Sequence, residues 1–138
     1  FWNIPGERFS QNPEQIAKNI LCACLRMKFG ANAFVGTELQ SGAGFIDILV
    51  YARGKSCIFE LKMLGVNYGF GYAESGVSQL NSYMGTHSVR EAYLIVFDGR
   101  KTERGQKLEP KYEVENGVIY VTVVKIYHEP PTRKKRCA

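Results

Sequence analysis

The chain has 138 residues, of which 45% are hydrophobic and 22% are charged. This length suits one domain, and the composition excludes fibrous and disordered proteins. No apolar run approaches the roughly 18 residues of a membrane-spanning helix, and no basic-then-apolar signal peptide opens the chain. We therefore expect no membrane partner.

The net charge is unevenly distributed. It is +5 in total, and the four cations at 133–136 leave only +1 for the rest of the chain. Because Pro130 and Pro131 precede these cations, we expect a single domain over residues 1–129 and a basic tail or linker over 130–138. Such a tail is either a solvated end or an arm that contacts phosphate.

The cysteines and the first residue bear on cellular context. Cys22 and Cys24 are two apart on a predicted helix and do not face each other, and no CxxC motif occurs. Free thiols are typical of a reducing, intracellular location, in the cytoplasm or with the nucleus or nucleoid. The chain begins at Phe1 without an initiator Met, which we interpret as a processed chain or part of a larger polypeptide.

The first predicted element is a helix. Asn12 is a suitable N-cap, Pro13 a suitable first residue, and Gly30 a stop signal. We expect its buried face to carry the apolar residues at 16, 20, 23, 24 and 27, widened by those at 21 and 25. A strand over 33–40, which carries Glu38, should follow.

Two strands then flank the turn at 53–56. Pairing them around Gly54 and Lys55 sets Asp47 opposite Lys62 and makes Asp47 and Glu60 diagonal neighbours. The three charged side chains then share one face, and the apolar residues at 46, 48, 50, 59 and 61 share the other.

A second helix is predicted over 72–84, with residues 73, 77, 80 and 84 in the core and Gln79 and Tyr83 on a flanking face. A strand over 92–97 should be covered on both faces. Asn116 and Gly117 favour a hairpin that joins strands over 112–115 and 118–127. This order predicts an α/β fold, a mixed sheet with helices packed on it.

Buried charges need partners, because an unpaired buried charge is costly. A divalent cation would supply one, since Mg²⁺ takes oxygen ligands and needs only one or two protein carboxylates. Asp47 and Glu60 provide that number, and Lys62 would lie beside them. An ammonium group there can orient or help deprotonate water and offset charge on a phosphate, which points to phosphodiester hydrolysis.

These residues also resemble a known family. Gly44-Phe45-Ile46-Asp47, then twelve residues, then Glu60-Leu61-Lys62, with Gln79, Leu80 and Tyr83 on a later helix, is similar to the PD-(D/E)xK nuclease superfamily. The resemblance covers about residues 12 to 98. It implies a restriction-endonuclease-like core, a central mixed β-sheet flanked by α-helices. It also implies cleavage of nucleic acid, most often DNA, with Mg²⁺ or Mn²⁺, and we expect a DNA endonuclease.

The resemblance also implies roles for particular residues. Asp47 and Glu60 would bind the metal, with the backbone carbonyl of Leu61 as a further ligand, and Lys62 would be catalytic. Gln79 would complete the site. Lys62, Gln79 and Tyr83 would contact nucleic acid, although Tyr83 also suits a core position.

Two departures from the family pattern remain. Ile46 stands where the family name has proline, which leaves the acids unchanged. An additional acid is either Glu14 or Glu38, and we prefer Glu38 because it lies on the strand before the motif.

Other functions fit the same residues. The chain could be an inactive nuclease-like module that binds nucleic acid or a protein partner within a larger protein. The charged cluster would then be purely structural. An RNase or exonuclease on the same core is a further alternative. A homodimer is also compatible, since duplex cleavage by this fold often uses two active sites.

Overall fold

The computed structural model describes residues 2–3, 8–9, 12–42, 44–65, 68–100, 105 and 107–126. The predicted basic tail, the end of the last predicted strand and Cys137 lie outside these residues. The described elements, in chain order, are β1 (Trp2–Asn3), β2 (Arg8–Phe9), α1 (Pro13–Phe29), a 3₁₀ turn (Gly30–Asn32), β3 (Ala33–Ser41), β4 (Gly44–Ala52), β5 (Lys55–Leu64), α2 (Phe70–His87), β6 (Glu91–Asp98), β7 (Lys111–Val114) and β8 (Gly117–Lys125).

The centre of the molecule is a mixed six-stranded sheet in the order β3-β4-β5-β6-β8-β7. Strands β5, β6 and β8 run parallel to one another, and the other neighbouring pairs are antiparallel. Strands β1 and β2 form a separate small hairpin. The predicted α/β class and the predicted order of the main elements are confirmed.

Helix α1 begins and ends as predicted, but it buries a different face. Asn12 accepts a hydrogen bond from the Gln15 N–H, and the helix stops before Gly30 at φ +57°. The predicted apolar stripe is wrong at Ile20 and Met27, which are 53% and 85% exposed, whereas Leu21 and Leu25 pack against the core as expected. The face against the sheet instead carries Ala17, Lys18 and Cys22, because the Lys18 ammonium finds carboxylate partners there.

The β4–β5 hairpin has a different register from the predicted one. It turns at Arg53 and Gly54, which both have positive φ, and it pairs Ala52 with Lys55. This two-residue turn, with positive φ at both central positions, matches the twist of the flanking strands. The same register pairs Ile48 with Phe59. Asp47 and Glu60 are the next residues beyond this last pair, so the predicted pairing of Asp47 with Lys62 and of Leu49 with Glu60 is wrong.

The core lies on both faces of the sheet. On one face, α1 packs over Ile48, Val50, Leu61 and Met63. On the other face, α2 packs over a cluster that includes Ile46. The expectation that Ile46 shares a face with Ile48 is therefore wrong.

The change of face occurs at Asp47. Strand β3 pairs Thr37 with Ile48 and Leu39 with Ile46, and Glu38 between them has φ +52°. The strands are thus distorted at the position where the charged side chains meet.

Helix α2 is longer than predicted, and the expected core residues 73, 77, 80 and 84 all pack in the core, Val77 being only partly buried. Ala73, Leu80 and Met84 are fully buried beneath the helix. The prediction that places Tyr83 on a flanking face is wrong, because its ring is buried in the same core cluster. The last hairpin turns one residue earlier than predicted, because Gly117 already pairs with Val114. Gly117 has φ +150°, and a Cβ there would overlap the Arg90 carbonyl.

Two further expectations concern thiols and membranes. Cys22, Cys24 and Cys57 are free, as predicted. Among the described residues, no helix combines the length and apolar character needed to cross a membrane.

Candidate functional site

The predicted acids meet where strands β4 and β5 lie side by side. Asp47 Oδ2 accepts a hydrogen bond from the Leu61 N–H at 2.9 Å. Asp47 Oδ1 lies 3.1 Å from the Lys18 ammonium, which reaches it from α1. The Asp47 carboxylate is therefore fixed by one strand and one helix, and its side chain remains 20% exposed.

Glu60 is the most deeply buried acid of the site, at 3% exposure. Its Oε1 atom lies 3.0 Å from the Lys62 ammonium. Its Oε2 atom is buried and has no hydrogen-bond partner among the described residues. Burial, and then the Asp47 charge, raise the pKa of Glu60 to about 7 although Lys62 acts in the opposite direction. A buried carboxylate oxygen without a partner is costly and calls for a ligand or a proton.

Lys62 is held in a narrow space between the sheet and α2. Its ammonium lies 4.8 Å from the centroid of the Tyr72 ring, a cation–π contact. A Cβ at Gly76 would lie only 3.2 Å from Lys62 Cγ, so the glycine lets the helix approach. The lysine is 7% exposed, and its ammonium is positioned by Glu60 on one side and by Tyr72 on the other.

Glu14 joins this cluster from the first turn of α1. Its Oε1 atom accepts hydrogen bonds from the Met63 N–H at 3.1 Å and from the Tyr72 hydroxyl at 2.7 Å. Burial, followed by this hydrogen bond, raises the pKa of Tyr72 above its usual range. The Glu14 charge also contributes to the raised pKa of Glu60. Glu14 therefore lies in the electrostatic environment of the site.

Glu38 lies on the other side of Asp47. It is paired with Lys18 at 3.2 Å, and its side chain is 59% exposed. Both acids that the sequence offered are thus connected to the cluster, Glu14 through β5 and Tyr72, and Glu38 through Lys18.

Lys18 is the residue that sequence reasoning missed. It bridges Asp47 and Glu38 and is 8% exposed. Burial alone would lower its pKa, but the two carboxylates outweigh burial and raise it. The helical spacing is the signal that predicts a place for Lys18 in the site, because it follows Glu14 by four residues and therefore lies on the same face of the helix.

Gln79 and Tyr83 lie together on α2, where Tyr83 reaches Gly44 at the start of β4. The Gln79 amide donates to the Tyr83 hydroxyl at 3.4 Å. Tyr83 is 5% exposed, and a Cβ at Gly44 would lie 2.5 Å from its hydroxyl. Among the described residues, no hydrogen bond joins Gln79 to Asp47, Glu60 or Lys62.

The capacity of the site for a metal depends on few ligands. Within the described ranges, no three His, Cys, Asp or Glu side chains are grouped as a metal site. Asp47 and Glu60 supply two carboxylates, which is the number Mg²⁺ needs when water and phosphate complete its ligands. The unpartnered Oε2 of Glu60 fits such an ion.

The chain matches no protein-family model, and the search of curated proteins found no match either.

Proposed function

We propose that the chain is a divalent-metal-dependent nuclease that hydrolyses phosphodiester bonds, in DNA rather than RNA. Asp47 and Glu60 would hold Mg²⁺ or Mn²⁺, with the Leu61 carbonyl as a further ligand. Lys62 would be the catalytic cation, and Glu38 and Gln79 would complete the site. The partner would be nucleic acid, and the free thiols favour an intracellular location.

The arrangement of elements supports this proposal. Helix α1, the three antiparallel strands β3 to β5, helix α2 and the parallel strand β6 follow in that order, with the helices on opposite faces. This arrangement is compatible with a restriction-endonuclease-like core, in which the acids lie on the second and third of these strands.

The buried oxygen of Glu60 carries the proposal. A generic ion pair between Glu60 and Lys62 would leave no reason to bury Oε2 without a partner beside a second carboxylate. Two neighbouring carboxylates repel each other unless a cation or a proton lies between them. A bound divalent cation would neutralise that repulsion and the charge of the phosphate.

Lys62 has the position and the charge for the chemical step. Held by Glu60 and Tyr72, its ammonium would donate a hydrogen bond to the attacking water or to a non-bridging phosphate oxygen. Charge builds up on those oxygens in the transition state, and a fixed cation stabilises it without having to reorganise. Glu60 would keep the lysine aimed at the site.

Cleavage assays test the proposal. Supercoiled, linear and single-stranded DNA and RNA are each incubated with Mg²⁺, Mn²⁺ or EDTA, using the wild type, Lys62→Ala and Lys55→Ala. Lys55 is exposed at the far end of the same strand and serves as the matched control. We expect metal-dependent cleavage that falls by about 100-fold or more in Lys62→Ala. Equal activity of the two variants, or cleavage in EDTA, would contradict the proposal.

The ion pair of Lys18 favours a second candidate. Its ammonium already pairs with both Asp47 and Glu38, as in a structural cluster of an inactive module that binds nucleic acid or a protein partner. Metal titration separates the two candidates. Binding of Mn²⁺ that Asp47→Ala abolishes supports the nuclease, and a wild type that binds no Mn²⁺ supports the module.

A further inference from the structure

A cavity of about 310 Å³ opens at the carboxyl ends of the parallel strands. We call it the strand-end pocket. Its lining includes Leu64 at the end of β5, Asp98 at the end of β6 and Lys125 at the end of β8, together with Arg100 and Lys107. In sheets of this kind, ligands bind outside the carboxyl ends of parallel strands.

The strand-end pocket lies on the same face of the sheet as Lys62. Leu64 pairs with Asp98, and Asp98 pairs with Lys125, so these three side chains share a face. Leu64 follows Lys62 by two residues and lies about 7 Å along the strand, on the same side. The pocket and the proposed catalytic lysine are therefore neighbours.

Positive charge dominates the strand-end pocket. Asp98 is the one acid among the described residues that line it, and the Arg100 side chain binds it through Nε at 3.0 Å and Nη2 at 2.9 Å. Lys125 donates one hydrogen bond, at 2.6 Å, to the Arg100 carbonyl, and an ammonium has three N–H donors. Lys107 is exposed. Among the described lining residues, three cations face one carboxylate, in contrast to the charge of only +1 that remains for the chain once the cations at 133–136 are set aside.

We propose that the strand-end pocket binds a phosphate group of a nucleic-acid strand, next to the phosphodiester that lies at Lys62. Lys107 and Lys125 would donate to the phosphate oxygens, while Asp98 holds Arg100 in place. A phosphate held there would help to determine which bond of the strand reaches the catalytic lysine. This inference rests on the proposed function and adds a substrate contact to it.

The salt dependence of binding tests the strand-end pocket. Anisotropy of a labelled single-stranded oligonucleotide in EDTA is measured over a range of salt for the wild type, Lys107→Gln, Lys125→Gln, the double variant and Lys55→Gln. The logarithm of the binding constant falls as the logarithm of the salt concentration rises, and each lost phosphate contact makes this slope less steep by about 0.7 for a single strand. We expect the slope of the double variant to be less steep by about 1.4 and that of the Lys55→Gln control to be unchanged. Slopes equal to that of the control would overturn the proposal.

Two controls keep the test decisive. Lys125→Gln removes a bond to the backbone and can weaken folding, so Lys107→Gln, at an exposed position, is sufficient by itself. Inorganic phosphate serves as a second probe, and it should displace the oligonucleotide from the wild type more readily than from Lys107→Gln. Equal displacement from both proteins would count against the pocket.

The same measurements separate the pocket from the nuclease. If the protein cleaves DNA but the pocket variants keep the salt dependence of the wild type, the proposed phosphate site is wrong and the proposed function stands. If the pocket variants have a less steep salt dependence but the protein cleaves nothing, the phosphate site is supported and the nuclease function is not. If the wild type binds no oligonucleotide, the pocket proposal is overturned.

Discussion

At the scale of single residues, the account depends on Glu60. Its carboxylate is buried and paired on one oxygen, and the part of the chain that the structure describes offers the other oxygen no hydrogen-bond partner. Asp47 on β4, Lys62 on its own strand and Glu14 on α1 all act on its ionisation. Such a group makes folding depend on pH and on cations.

The raised pKa of Glu60 predicts a pH dependence of stability. Without metal, the folded protein holds this proton up to about pH 7, whereas the ordinary pKa of a glutamate is 4.5. The folded state therefore binds the proton more tightly, so stability is fully present below about pH 4.5 and falls as pH rises towards 7, by about 3 kcal/mol at most. Urea unfolding of wild type and Glu60→Gln in EDTA measures this loss.

The comparison of variants isolates the contribution of Glu60. Glu60→Gln should not show this loss, so its stability relative to wild type should rise with pH. Glu113→Gln, at an 80% exposed side chain, serves as the control and should follow the wild type. If the free energy of unfolding has the same pH dependence in Glu60→Gln and wild type, the carboxylate is ionised throughout this pH range and the prediction is wrong.

Lys18 gives a second prediction at this scale. Lys18→Gln leaves the Asp47 and Glu38 carboxylates without their cation, and because both are partly exposed the cost should be about 1 to 2 kcal/mol. Mn²⁺ should then raise the melting temperature more in Lys18→Gln than in wild type, because an ammonium repels a divalent ion. Thermal unfolding in EDTA and in Mn²⁺ measures both effects, with exposed Lys28→Gln on the same helix as the control. An equal Mn²⁺ effect in all three proteins would contradict the account.

At the scale of elements, helix α2 positions the lysine by its close approach to the sheet. Gly76 permits this approach, since a Cβ there would lie 2.6 Å from Leu94 Cδ1. Gly71 lies on the same helix, and a Cβ there would meet nothing within 4 Å. The two glycines form a matched pair.

Alanine at the two glycines should have opposite effects. Gly71→Ala should stabilise the protein by about 0.5 to 1 kcal/mol, because alanine is the better helix former. Gly76→Ala should destabilise it by about 1 to 2 kcal/mol, because overpacking outweighs the same gain. Urea unfolding measures both variants. Stabilisation by Gly76→Ala would show that α2 does not press on Leu94 and Lys62.

The sequence predicted the elements better than their contacts. Caps and turn residues act locally, so both ends of α1 were found. The buried face of α1 was predicted less well, because apolar residues such as Met27 are exposed. Lys18 is buried instead, since it pairs with carboxylates that are distant in sequence. The β4–β5 register was missed because Arg53, a residue that rarely adopts positive φ, does so in the turn.

At the scale of the whole molecule, the sheet brings the elements of the site together. Strands β4 and β5 present the acids, α1 contributes Glu14 and Lys18, and α2 covers Lys62. The sequence predicted the cluster of the two acids with Lys62. It did not predict the contribution of Lys18 or the hydrogen bond between Glu14 and Tyr72. Those contacts depend on how α1 lies on the sheet, which no local pattern specifies.

Calorimetric titration of the folded protein with Mn²⁺ tests the central claim, that Asp47 and Glu60 share one divalent ion. The account predicts that wild type and the remote control Glu113→Gln bind the ion, and that Asp47→Asn and Glu60→Gln each lose that binding while remaining folded. Absence of binding by wild type, or unchanged binding by folded Asp47→Asn and Glu60→Gln, would contradict it.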